Sequence, residues 1–177
     1  MKRILLVAAL ALPLFWTACK GEGGESKEDV VPKGMRAVDL TPKGFPIKIN
    51  VPDSATGVLD TLDDPSGIEI KVGGKFDVLV NTAGPEEADI AKQKSLIDAA
   101  DAGTNNYIIN DATTLLWETK FGDLSMFHFY HIVKIGNDTY YVRDNNVNPE
   151  NQFKKEEVEK MLESAKSLRA KPAPQAE

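Results

Sequence analysis

His128 and His131 are the only imidazoles in the chain, and Cys19 is its only thiol. These side chains could serve as general bases, metal ligands or nucleophiles, so their placement bounds the chemistry to be expected. Both histidines lie in the run "MFHFYHIV", whose pattern is that of a strand. Three residues apart on a strand, they point to opposite faces and cannot share a metal ion. His131 falls in step with Phe127, Phe129 and Val133, the setting of a neutral, hydrogen-bonded core histidine. Asp63-Asp64, ahead of Pro65-Ser66-Gly67, could draw Ca²⁺, but the run lacks the alternating oxygen ligands of a calcium loop and reads more simply as a turn. No GxSxG, HExxH or phosphate-loop motif occurs. No catalytic residue, cofactor or metal site is therefore expected.

Cys19 stands at the end of an apolar segment. Lys2 and Arg3 form a positive start, Ile4 to Trp16 an uncharged run broken only by Pro13, and Thr17-Ala18-Cys19 follows. That run is too short to span a bilayer as a helix and has the flanks of a secretory leader. Trp16 is too bulky for an ordinary cut after Ala18. The segment resembles instead a bacterial lipobox of the looser Bacteroidota type, with Trp16 where leucine is usual. A plain leader, or a free structural thiol, is the alternative. The resemblance implies that residues 1–18 are a signal peptide and that Cys19 is lipidated. Two or three acyl chains would then hold the protein in the bilayer durably. It also implies an envelope location, with the outer membrane favoured because Lys20 is not the aspartate of inner-membrane retention.

The formal net charge of −6 becomes more negative by two once Lys2 and Arg3 leave with residues 1–18. An acidic chain without basic runs is a poor partner for nucleic acid or anionic lipid headgroups. One cysteine permits no intrachain disulfide, so the exported domain must be stable from its core alone. Residues 19–35 are rich in Gly, Glu, Lys and Ser and read as a flexible acidic tether, with ends roughly 20 Å apart. Residues 36–169 read as a single, monomeric domain, and 170–177 as a disordered tail.

Within that domain, Ile47, Ile49 and Val51 alternate with polar residues as a half-buried strand. Ile68 to Val72 and Phe76 to Val80 form a hairpin around Gly73-Gly74. A helix is expected from Gly84-Pro85 to about Ala102, stopped by Gly103. Strands follow over Asn106–Asn110, Thr113–Lys120, Met126–Ile135 and Thr139–Arg143, the last two joined by a turn at Gly136-Asn137-Asp138. A second helix starts near Phe153 with an apolar stripe of Val158, Met161, Leu162, Ala165 and Leu168. The long strand is apolar on both sides, which calls for cover on both sheet faces. The expected fold is α+β, a mainly antiparallel sheet of about six to seven strands with helices packed on its faces.

The closing unit "HIVKIGNDTYYVRDNNVNPENQFKKEEVEKMLESAKSL" resembles the end of PsbP-like and Mog-like α/β/α sandwich proteins: a long strand, a hairpin with paired aromatics, and a terminal helix with a Met-x-x-Ser run. The resemblance implies a binding or assembly factor and carries no chemistry with it. Asp53-Ser54-Ala55 and Asp60-Thr61-Leu62 resemble the O-glycosylation acceptor pattern of the Bacteroidota periplasm, making Ser54 and Thr61 candidate acceptors. Such pairs also make turns. Both sit in what reads as one polar loop from Asp53 to Gly67, the favoured edge for a partner.

Two functions follow. The first is a membrane-anchored, non-enzymatic binding or assembly module, meeting an envelope protein or glycan and the bilayer through acylated Cys19. The alternative is an envelope hydrolase or lyase whose site is assembled only in the fold. Asp, His and Tyr around a concave pocket would mark the enzyme; a purely apolar pocket would mark binding. Growth on labelled palmitate should label the wild type and leave Cys19→Ala unlabelled; equal labelling of both overturns the anchor.

Overall fold

The computed structural model describes residues 31–65, 67–100, 103–145 and 152–171. The leader, Cys19, most of the tether and the tail beyond Lys171 lie outside the described residues. Among the described residues there are ten strands and two α-helices. In order they are β1 (Met35–Asp39), β2 (Ile47–Pro52), β3 (Leu59–Asp64), β4 (Gly67–Val72), β5 (Asp77–Thr82), α1 (Ile90–Ala99), β6 (Thr104–Asn110), β7 (Thr114–Phe121), β8 (Leu124–Ile135), β9 (Asp138–Asp144), α2 (Lys155–Lys166) and β10 (Arg169–Ala170). The fold is mostly antiparallel sheet with few helices, so α+β holds in outline only. There are two sheets where one was expected: a seven-stranded sheet in the order β3-β4-β5-β9-β8-β7-β6, and a three-stranded sheet in the order β1-β2-β10.

The expected hairpin forms with Ile68 opposite Val80 and Ile70 opposite Val78. That register puts Ile68, Ile70, Val78 and Val80 on one face, which continues through Val142 and Tyr140 of β9, Phe129 of β8 and Leu116 of β7. Two elements cover it. Strand β2 brings Ile47, Ile49 and Val51, and α2 brings Val158, Met161, Leu162 and Ala165, all into the same buried cluster. Helix α2 starts at Lys155, where the Lys154 N–H donates to the Glu157 carboxylate at 2.9 Å. After it, the chain turns back and β10 pairs with β2, Arg169 opposite Lys48 and Ala170 opposite Ile47. Met35 and Ala170 thus belong to the small sheet, just beyond the expected domain bounds.

Three strands depart from expectation. Strands β1 and β10 are too short to show a period. Strand β3 occupies much of the supposed Asp53–Gly67 loop, although "LDTLDD" has little β-propensity. It succeeds because it is an edge strand paired only with β4, where acidic side chains can face water and discourage further pairing. Its entry is tight: a Cβ on Gly57 would come within 2.7 Å of the Gly73 backbone, so that crossing needs glycine.

Helix α1 also starts later than Pro85. Residues 85–88 form turns, and the Asp89 carboxylate caps the helix by accepting from the N–H groups of Ala91 and Lys92 at 3.0 and 3.1 Å. It buries no residue completely, so the second face of the large sheet is covered only in part.

Because both sheets and α2 share one core, the domain should unfold as a unit. Ile49→Ala in the small sheet and Phe129→Ala in the large one should each lower stability by about 2–5 kcal/mol in one denaturant transition. Two separate transitions would contradict the shared core.

Candidate functional site

Along the second face the strand register lays out a row of side chains. Tyr107 of β6 lies opposite Trp117 of β7, and Trp117 opposite His128 of β8. One row on, Leu115 lies opposite Tyr130, Tyr130 opposite Arg143 of β9, and Arg143 opposite Leu79. Helix α1 rests toward the β6–β7 side of this floor. The Tyr107 hydroxyl donates to the Asp98 carboxylate at 2.8 Å, and the Asn105 amide donates to the Ile97 carbonyl at 3.2 Å. The Lys94 ammonium lies 4.2 Å from the centre of the Tyr107 ring. Burial, and then Asp98 beside it, pushes the Tyr107 pKa up. Ile90 and Ile97 pack on a small cluster of Leu115, Tyr130 and Ile132.

Between α1 and the sheet runs a trough of two adjoining hollows. One, of about 340 Å³, mixes aromatic and polar groups and is lined by Glu87, Tyr130, Tyr141, Arg143 and Asp144. The other, of about 300 Å³, has Ala100, Phe121 and Met126 in its wall. Ile97, Trp117 and His128 line both.

The two histidines take opposite faces, as their spacing requires. His131 is buried on the core side, its Nδ1 3.0 Å from the Thr114 hydroxyl. Burial and the nearby Lys166 lower its pKa, so it stays neutral. His128 faces the trough. Its Nδ1 is 2.8 Å from Asp144 Oδ2, and its ring packs against Trp117 at a centroid distance of 5.4 Å. Asp144, only 5% exposed, is placed by the ladder itself. Pairing between β8 and β9 runs out at Tyr130–Arg143, while β9 continues alongside β5 to Asp144. Asp144 Oδ1 accepts the Phe129 N–H at 2.8 Å where the neighbouring strand departs. A carboxylate accepts, so Nδ1 carries the hydrogen, and the neutral form of the ring has its lone pair on Nε2. The Arg143 guanidinium donates to the Asp144 carbonyl at 3.2 Å and has no carboxylate partner among the described residues. The Tyr130 hydroxyl donates to the Glu87 carbonyl at 2.9 Å, and the Tyr141 hydroxyl accepts from Asn81 at 3.1 Å. The two rings stack at 5.2 Å.

No protein-family model matches this chain, and no curated protein matches it.

His128 apart, the described residues singled out by sequence lie elsewhere. Ser54 is exposed in a turn, where Asp53 Oδ1 accepts the Ala55 N–H at 3.0 Å. Thr61 is in β3, half-buried, and not in a loop. Asp63 pairs with Lys43 at 3.1 Å. Among the described residues, no three His, Cys, Asp or Glu side chains gather where they could hold a metal ion. Asp144, Arg143, Trp117 and Glu87 carry no motif. Asp144 alone left a trace, because the turn after Ile135 sets a register that brings residue 144 beside residue 129.

A charged group flanks the trough. Lys71 lies 2.9 Å from Glu69 and 3.6 Å from Asp77, and the Asn145 side chain donates to Glu69. Burial first, and then the charge of Glu69, pushes Asp77 up to about 7, against the pull of Lys71. A carboxyl raised in the folded state stabilises it at low pH, and that contribution is lost as pH rises toward and through about 7. Asp77→Asn should remove this loss. Its melting temperature relative to wild type should rise by several degrees between pH 5 and pH 8; a constant difference would contradict the raised value.

Proposed function

We propose that the protein is a lipid-anchored lipoprotein of the bacterial envelope, held at the outer membrane through Cys19, whose domain is a non-enzymatic binding module. The trough is its ligand site. The observation that carries this reading is the position of α1. Because the helix sits toward one side of the sheet, it leaves a concave floor of strands that presents a half-buried Trp117, an oriented His128 and an Arg143 without a carboxylate partner among the described residues. Concave sites with an apolar floor and a few fixed polar groups are the usual form of small-molecule sites. The PsbP-like resemblance of the closing strand–hairpin–helix unit supports the same reading.

The Asp144–His128 pair, with Tyr130 and Tyr141 lining the same hollow, is the Asp, His and Tyr grouping expected of an enzyme, and it favours a second reading, an envelope lyase or hydrolase with His128 Nε2 as general base. The surrounding groups support it less. The Tyr130 hydroxyl donates to the Glu87 carbonyl, the Tyr141 hydroxyl accepts from Asn81, and the Thr119 hydroxyl in the apolar hollow donates to Asn105 at 2.7 Å. Ser54 is the better of the two glycosylation acceptors, since an exposed turn admits a transferase and a half-buried strand residue does not.

A fragment screen followed by NMR of the labelled protein tests the site. Hits should move the Trp117 indole and His128 ring resonances and weaken about tenfold or more in Trp117→Ala. Hits confined to other surfaces overturn the assignment.

A further inference from the structure

The two hollows differ in chemistry, and together they define what fits. The first holds three groups with distinct demands. Arg143 is a cation whose one described hydrogen bond goes to the carbonyl of its neighbour. Among the described residues it has no acidic partner, although carboxylates outnumber the basic groups of the chain. An unpaired guanidinium with free N–H groups suits a carboxylate, which it can grip with two parallel hydrogen bonds. Glu87 lines the same hollow from the turn before α1, and its backbone carbonyl is fixed by the Tyr130 hydroxyl. A carboxylate on that wall suits a cation. In its neutral form His128, with Nδ1 committed to Asp144, has its lone pair on Nε2 and so also asks for a donor. One acceptor-seeking cation and two donor-seeking groups do not match a simple anion, and they do not match a simple amine. They match a head group that carries both charges.

The adjoining hollow is different. Trp117 and Ile97 continue into it from the first, and Ala100, Phe121 and Met126 complete a mainly apolar wall. A ligand whose head sits in the first hollow would lay its body across the Trp117 ring into the second.

We infer that the trough binds a free α-amino acid with a large apolar side chain. Its carboxylate goes to Arg143, its ammonium to Glu87 and His128 Nε2, and its side chain to the hollow of Trp117, Phe121 and Met126. This inference rests on the trough being the ligand site, and the test separates the two.

Three probes of nearly one shape dissect the head group: L-tryptophan, indole-3-propionate without the amine, and tryptamine without the carboxylate. Each is titrated into the full-length chain with the Trp117 and His128 resonances as readout. Tryptophan should bind about tenfold more tightly than either truncated probe. Arg143→Gln should weaken tryptophan and indole-3-propionate about tenfold and leave tryptamine unchanged. Glu87→Gln should weaken tryptophan and tryptamine and leave indole-3-propionate unchanged. Equal binding of all three probes would keep the trough as a site and overturn the amino-acid assignment. So would equal losses for all probes in both variants. If no probe moves Trp117, the amino-acid assignment falls, and the fragment screen decides separately whether the trough binds at all.

Discussion

A seven-stranded sheet with one continuous apolar face has to take that face out of water. At about 4.8 Å between strands its edge strands stand roughly 29 Å apart, while a helix with its side chains is only about 10 Å across. The twelve residues of α2 therefore cannot cover the face alone. The small sheet supplies the missing cover, and Ile47, Ile49 and Val51 of β2 are fully buried as a result. At about 1.5–3 kcal/mol per large apolar side chain removed from water, this layer is where most of the stabilisation arises. The rest of the architecture follows from it, including the return of the chain after α2 to pair with β2.

On the other face the same arithmetic runs the opposite way. Only α1 is present, and it is fastened to the β6–β7 side through Tyr107 and Asn105. The uncovered floor is stable because its side chains are aromatic or polar. Half-buried Tyr141, stacked on buried Tyr130 and hydrogen-bonded to Asn81, tolerates a half-wet surface that a row of isoleucines would not. Asp144 shows how backbone and site are joined. Its carboxylate satisfies a backbone N–H where two strands part and, with its other oxygen, holds His128 in place.

Local patterns made much of this legible. The alternation around Gly73-Gly74 gave the central hairpin, and period two put His128 and His131 on opposite faces. The stripe on α2 named its buried residues. Strand β3 was hidden because its sequence carries the marks of an edge and none of a core strand. Helix α1 started late because a competing cap, Asp89, outweighed the signal of Pro85 and the two glutamates after it. The trough was not legible at all. It exists because a helix lies off the centre of a sheet, and that depends on contacts between residues far apart in the chain. The hydroxyl side chains flagged as acceptors had no such dependence, and they fall outside it.

Strands β1 and β10 flank β2, so the described chain enters and leaves the domain through one layer. The trough lies on the far side of the large sheet from that layer. In a protein moored by its N-terminal end, this geometry works like a gimbal with a fixed back plate. A pull from that end would load the small sheet first, and the trough lies on the opposite side. The two ends of the described chain lie at opposite ends of β2, Met35 beside Pro52 and Ala170 beside Ile47, so a protein joined after Lys171 would follow from the small sheet and not from the trough side.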